Sequence, residues 1–207
     1  MLSRRKALCT ALASAAAFAG ISAANAAGEK PRQSGRNVGT DRDLRRSDRL
    51  LTDREALTVI RNVPHAVLST ADKDGIPYGV PVTPVYDDGK IYFHGAADEK
   101  GRKTVNMRQN KYVSLCYTAK DNIVQEEFAV NFVSVVVSGT VRAITDPKKK
   151  AELMYKIVHH HAPVKTDKQI EEYLRPEVNL ITLWEVTPLK ITGKSRNKKY
   201  YFDKLKD

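Results

Sequence analysis

Two adjacent cations, Arg102 and Lys103, follow Gly101 at the start of a helical pattern, and eight residues upstream of Arg102 a histidine, His94, closes an apolar run. They lie together in IYFHGAADEKGRKTVNMRQN, residues 91–110. The first turn of a helix has free N–H groups that point outward and carry a partial positive charge. A guanidinium can fork onto two oxygens and an ammonium acts as a point charge, so this arrangement suits a phosphate. Charge-assisted hydrogen bonds contribute about 1.5–3 kcal/mol each. A few of them would supply much of the roughly 8 kcal/mol of a micromolar complex. A Lys/Arg pair on a helix is equally compatible with a solvated face, and the residue types alone leave both readings open.

Other chemistries find little support. The chain lacks GxSxG, HExxH, CxxC and GxxxxGK[ST]. Its other histidines are His65 and the run His159-His160-His161. Three successive helical residues point around the axis and do not converge on one metal. In a last helical turn they suit imidazoles, neutral or cationic, near the free carbonyls. Of the two cysteines, Cys9 lies in a segment expected to be removed, which leaves Cys116 in YVSLCY. A single cysteine makes no internal disulfide and no zinc cluster, and this one reads as a buried, inert thiol. No metal site is expected.

The elements that must position these residues can be read from caps, turns and alternation. Thr52-Asp-Arg-Glu55 is a capping box that opens a short amphipathic helix to about Asn62. HAVLSTA (65–71) reads as a strand followed by the turn DKDG. IPYGVPVTPVY (76–86) carries Pro77, Pro81 and Pro84, which cannot donate to a ladder, so it belongs at a sheet edge or on bulges. Asp87-Asp88-Gly89 is a hairpin turn into KIYFHG. A helix over about 98–109 leads to YVSLCYTA, then EFAVNFVSVVVSGTVRAI supplies one strand or a bent pair. Asp146-Pro147 caps a helix to about His160, a shorter helix spans roughly 166–174, and NLITLWEVTP and KITG close the fold as two strands. Short meandering strands with helices outside predict a small barrel, α+β or mostly β. Hairpin turns in place of crossover helices exclude a doubly wound parallel sheet.

The 207 residues suit one domain with extensions, and the 42% hydrophobic content is ample for a single core. The formal charge is +11, yet its distribution matters more than its total. Basic excess sits in residues 1–26, 27–50 and 188–207, leaving the body, 51–187, with no net charge. A nucleic-acid-binding domain more often carries a basic stripe on its folded core, so no nucleic-acid partner is expected. MLSRRKALCTALASAAAFAGISAANA has a charged start, an Ala-rich stretch and an A-x-A end, the pattern of a cleaved export signal with a mature start near Ala27. Ser3-Arg4-Arg5 resembles a twin-arginine signal, so a periplasmic or otherwise exported protein without a retained membrane anchor is expected. Residues 27–50 read as a mobile basic arm, 51–196 as the folded domain and 197–207 as a basic tail.

PYGVPVTPVYDDGKIYFHGAADEKGRKTVNMRQNKYVSLCY (77–117) closely resembles the core of the pyridoxamine-5′-phosphate-oxidase-like, FMN-binding split-barrel proteins. Within them it is most similar to the Nim-type nitroimidazole-resistance branch. SVVVSGTVRAITDPKKKAELMYKIVHHHAP (134–163) and ITGKSR (191–196) match later parts of the same pattern. The resemblance covers about residues 45–196. It implies a six-stranded antiparallel split β-barrel with flanking helices, assembled as a homodimer with FMN at the interface. Carried over by position, Tyr78 to Thr83 would line the isoalloxazine ring, with backbone groups offered by Val80 and Val82. Phe93 and His94 would lie near the ribityl chain or ring, and Arg102 and Lys103 would bind the phosphate. Ser134 would donate to the phosphate or ribityl region, and Lys194 is a further candidate. In the Nim-type branch the histidine matching His94 is an active-site residue. The Arg/Lys substrate-binding positions of true pyridoxamine-phosphate oxidases are missing from YGVPVTPVY, so vitamin B6 oxidation is not expected.

The expected function is therefore an FMN-dependent oxidoreductase that reduces a small acceptor, such as a nitroaromatic or quinone-like compound. The family also contains members that bind flavin without established turnover, so a non-catalytic flavin carrier is one alternative. A related split-barrel branch handles haem, and on that alternative His94 or one of His159, His160 and His161 would be an iron ligand.

Overall fold

The computed structural model describes residues 46–203. The expected export signal, 1–26, most of the expected arm, 27–45, and the last part of the tail, 204–207, lie outside the described residues. Helix α1 (Asp53–Asn62) starts on the expected capping box. The Glu55 N–H donates to Thr52 Oγ1 at 3.2 Å and the Thr52 N–H to Glu55 Oε2 at 2.8 Å. Strands β1 (Ala66–Ala71) and β2 (Pro77–Val82) pair antiparallel, as do β3 (Val85–Asp87) and β4 (Lys90–Ala96). Helix α2 (Arg102–Gln109) leads to the long hairpin of β5 (Tyr112–Val124) and β6 (Ala129–Ala143). Helix α3 (Pro147–His161) begins where the Asp146 carboxylate accepts from the Lys149 N–H at 2.7 Å, with proline at the first position. Helix α4 (Asp167–Glu177), strand β7 (Ile181–Arg196) and one turn, α5 (Lys199–Phe202), complete the described chain.

All strands join one antiparallel sheet in the order β2-β1-β5-β6-β7-β4-β3. Strands β2 and β3 lie at opposite edges, yet only Thr83 and Pro84 separate Val82 from Val85. Three Cα steps span at most about 11 Å, so the two edges must approach each other. The sheet therefore curls into a barrel left open along this seam, the split barrel expected from the sequence. It has seven strands, not six, because Thr83-Pro84 divides the run 76–86 into two strands on opposite edges.

Alternation along the strands sorts two cores. Inside the barrel lie Leu68, Phe93, Leu115, Tyr117, Val135 and Trp184. Outside, α3 and α4 contribute Ile157, Ile170 and Leu174 to a second cluster with Val85, Tyr92 and Leu183. The outward row Pro81–Val67–Cys116–Val136–Thr192 crosses β2, β1, β5, β6 and β7. Pro81, Val67 and Val136 in that row are exposed. Cys116 is half-buried there instead of enclosed in the core, because residues of β5 alternate and Leu115 and Tyr117 take the inward places.

Other boundaries moved for identifiable reasons. Residues 98–101 form a turn instead of helix, since Asp98 Oδ1 accepts from the Lys100 N–H at 2.9 Å. The two expected closing strands are one, β7, with the register irregularity falling between Ser138 and Gly139, opposite Pro188 and Lys190. A Cβ added at Gly139 would sit 2.6 Å from the Thr187 carbonyl oxygen, so the close approach there admits no larger residue unless the backbone moves. The end of the expected arm is held: Leu50 bridges to Lys194, and the Leu51 N–H donates to the Gly193 carbonyl at 3.0 Å. Tyr201 and Phe202, in the expected tail, are apolar rings that pack against the barrel core.

Buried Glu185 accepts from Arg142 Nε at 2.7 Å and from the Tyr92 hydroxyl at 3.3 Å. Burial works to raise its proton affinity, but Arg142, with Lys90 and Lys149, outweighs this and holds the carboxyl below its ordinary value. A depressed folded value makes the stabilisation present above the unfolded carboxyl range and lost as pH falls through the folded one. Acid unfolding of Glu185→Gln is thus expected to be less steep below about pH 4.5 than that of the wild type, as read by circular dichroism.

Candidate functional site

The site is built where α2 begins. Gly101 precedes the helix without a side-chain cap, so the first-turn N–H groups are not taken by one. From this turn the side chains of Arg102 and Lys103 diverge to two different strands. The Arg102 guanidinium carbon lies 4.7 Å from the centroid of the Tyr78 ring on β2. Lys103 reaches β4, where a Cβ added at Gly95 would meet its Cε at 3.0 Å and its Nζ at 3.1 Å. The helix itself is fixed by buried Asn106, whose Nδ2 donates to Thr70 Oγ1 at 3.0 Å.

Neither Arg102 nor Lys103 has a carboxylate partner among the described residues, whereas Arg108 pairs with Glu99, Arg142 with Glu185 and Lys156 with Asp87. Lys103 is half-buried, and burial lowers its proton affinity. An ammonium held out of water without a counter-charge is poised for an anion. Next to Gly95, His94 has its own proton affinity lowered by burial and then by the charge of Lys103. Its Nδ1 is enclosed and has no hydrogen-bond partner among the described residues.

Strand periodicity divides the remaining expected residues. On β4, Ile91 and Phe93 face the barrel interior, while Tyr92 faces the helices. His94 follows Tyr92 on the outward side. Phe93 is 0% exposed; its ring lies in the barrel core, on the opposite face of β4 from His94. On β2 the Asp72 N–H donates to the Ile76 carbonyl, and the register makes every second pair after it hydrogen-bonded. Tyr78, Val80 and Val82 therefore turn their backbone groups toward β1, and the valine side chains pack on the core. The backbone groups at the free edge are the Gly79 N–H and the carbonyls of Pro77, Gly79 and Pro81, not those of Val80 and Val82. The period-two spacing Pro77-x-Gly79-x-Pro81 was the available signal, since proline is tolerated where no N–H is needed.

At the seam, Thr83 Oγ1 lies 3.5 Å from His65 Nδ1. Ser134 and Lys194 are directly opposite each other on β6 and β7. The β6 residue in the row of Tyr78 is Gly139, five residues from Ser134 and three strands across from β2. Strand and ladder spacings make this separation roughly 20 Å, so one protomer does not bring Ser134 and Lys194 to Tyr78 and Arg102.

In the histidine run, only His161 is buried. His161 continues the buried stripe Leu153, Met154, Ile157 of α3 and is 8% exposed. Its spacing of four from Ile157 was the legible sign. Burial, then the like charges of His160, His94 and His65, push its pKa down to about 4. His160 is lowered by burial and by His159. Burial thus favours neutral rings at both positions. Among the described residues no group of three or more His, Cys, Asp or Glu side chains is arranged to hold a metal ion.

This fold and site define a split-barrel class, and comparison with known proteins gives the family. Residues 52–195 match the pyridoxamine 5′-phosphate oxidase family, and the chain belongs to it. None of the curated proteins matches the chain. Among solved structures it is similar to a candidate 5-nitroimidazole antibiotic resistance protein from Bacteroides thetaiotaomicron, at 20% identity and TM-score 0.58, over 70% of this chain and 85% of that one. It is similar to a FAD-binding protein from Mesorhizobium loti at 22% identity and TM-score 0.53, over 72% and 98%. A FAD and heme binding protein from Mycobacterium smegmatis is similar at 16% identity and TM-score 0.56, over 72% and 74%.

Proposed function

We propose that the chain is an FMN-binding oxidoreductase that reduces a small acceptor, such as a nitroaromatic or quinone-like compound. The observation that carries this is the unpaired Arg102–Lys103 couple, which starts α2 and touches β2 through Tyr78 and β4 through Gly95. Arg102 and Lys103 would hold the FMN phosphate, with Tyr78 and the free edge of β2 beside the ring and His94 toward the reacting end. Bound flavin would supply the electron transfer, while the protein sets position and charge. The relatives described as binding FAD, and FAD and heme, support a flavin site of this general kind.

A homodimer is part of the proposal. Ser134 and Lys194 lie too far from Arg102 within one protomer, and the outward row through Val67, Cys116 and Val136 has the apolar character of an interface. A second copy seated there would bring Ser134 and Lys194 toward the first copy's flavin.

The absorption spectrum of the purified full chain is the test, with the flavin released and its mass measured. Flavin bands with FMN released support the proposal. A Soret band, or no chromophore after reconstitution with FMN, overturns it. Replacing His94 by alanine is expected to lower turnover about 100-fold, in the range for a lost proton-transfer group, with FMN affinity changed less than about threefold.

A further inference from the structure

A second concave place lies where the end of α1, the start of β3 and the last turn of α3 meet. It is a cavity of about 190 Å³ lined by Ile60, Arg61, Pro84, Val85, Tyr86 and His160. None of these residues belongs to the site assigned to flavin. Ile60, Pro84 and Val85 are buried and give the cavity apolar walls. Two polar side chains complete it. The Arg61 guanidinium carbon lies 5.2 Å from the centroid of the Tyr86 ring. A guanidinium over an aromatic face keeps its N–H fork in its own plane, free for a pair of oxygens. No carboxylate pairs with Arg61 among the described residues, and Asp87, next in the chain to Tyr86, is held by Lys156 Nζ at 2.8 Å. The other polar side chain is half-buried His160, whose ring stands edge-on to that of His161, with 5.0 Å between centroids and an angle of 81°. His161 is itself buried, so the His160 ring has a fixed support.

We propose that this cavity binds a small aromatic carboxylate, with the carboxylate on Arg61 and the ring against Ile60, Pro84, Val85 and Tyr86. Apolar walls with a few placed polar groups are the usual make-up of a small-molecule site. Size sets the ligand at one ring: a cavity of about 150 Å³ holds benzene, and this one, at about 190 Å³, adds room for a short substituent. Charge sets its sign, since an anion gives the free guanidinium fork two oxygens in one plane and a neutral ligand does not. The walls set its apolar part, since an anion without a ring leaves them uncovered. His160 is the second polar contact, and a neutral imidazole offers it one donor and one acceptor. The site is independent of the flavin proposal, with which it shares no residue.

The test is an amide NMR titration of the full chain with three probes: benzoate, benzyl alcohol, which has the ring without the charge, and acetate, which has the charge without the ring. Benzoate is expected to shift the amides of Ile60, Val85, Tyr86 and His160 and to saturate with a Kd of about 1 mM or below, the range for a ligand of this size. Benzyl alcohol and acetate should each bind at least about tenfold more weakly. Arg61→Met removes the fork and keeps an apolar stem, and it should weaken benzoate by about 10-fold to 100-fold, the range for a lost charge-assisted hydrogen bond. No saturation by benzoate at about 20 mM overturns the proposal, as do shifts confined to the surroundings of Arg102 and Lys103. Acetate binding as tightly as benzoate, or equal benzoate affinity in Arg61→Met, overturns it as well. Arg61 is exposed and leaves no carboxylate behind, so the variant should fold. Should it not, the three probes on the wild type decide.

Discussion

Replacing Arg102 and Lys103 together by alanine is expected to weaken FMN binding by about 100-fold to 10,000-fold while the barrel stays folded. Two charge-assisted bonds at about 1.5–3 kcal/mol each set that range. The fold should tolerate the change because neither side chain has a carboxylate partner to leave behind among the described residues. Arg102 is exposed, and its contact is with the face of the Tyr78 ring. Lys103 is held half-buried over Gly95, so its removal relieves an unpaired, desolvated charge. Fluorescence titrations with FMN and with riboflavin, which lacks the phosphate, separate the phosphate contribution from the rest. Riboflavin affinity should be nearly unchanged in the double variant. Equal FMN affinity in variant and wild type would refute the phosphate assignment.

Truncating Phe93 to alanine is expected to destabilise the protein by about 3–5 kcal/mol, the usual range for an enclosed phenylalanine. For a domain of this size that is a fall of roughly 6–20 °C in melting temperature. The ring is 0% exposed inside the barrel, among the largest fully enclosed side chains. Its loss leaves a cavity between strands paired far apart in sequence, since Phe93 faces Trp184 across the β4–β7 ladder. The FMN affinity of the molecules that remain folded should change little. Chemical denaturation together with flavin titration measures both quantities. A normal denaturation midpoint with lost flavin binding would place Phe93 in the flavin site and contradict its position in the core.

Much of this architecture was legible because its signals are local. The Thr52–Glu55 capping box and the Asp146-Pro147 helix start depend on residues three or four apart, and both occur as expected. The prolines of 76–86 announced an edge strand because proline has no N–H to give, and β2 is an edge. Gly-Arg-Lys at the head of α2 stood out as a candidate phosphate site for the same reason: the chemistry needs only neighbouring residues and the free N–H groups of one turn. The helix boundary at 98 was misread because the Asp98 side chain competes for the backbone and makes a turn.

Choices between the two faces of a strand were not local. Whether Phe93 enters the core, and whether Val80 and Val82 offer their backbone groups, depends on a period-two register in which one step reverses every residue. That register is set by pairing with distant chain: β4 with β7 some ninety residues later, β2 with β1 through the bond from Asp72 to Ile76. The ~20 Å between Ser134 and Tyr78 likewise follows from how many strands lie between them. Residue types and short spacings thus decided which groups could hold a phosphate, and the closure of the sheet decided which other groups surround them.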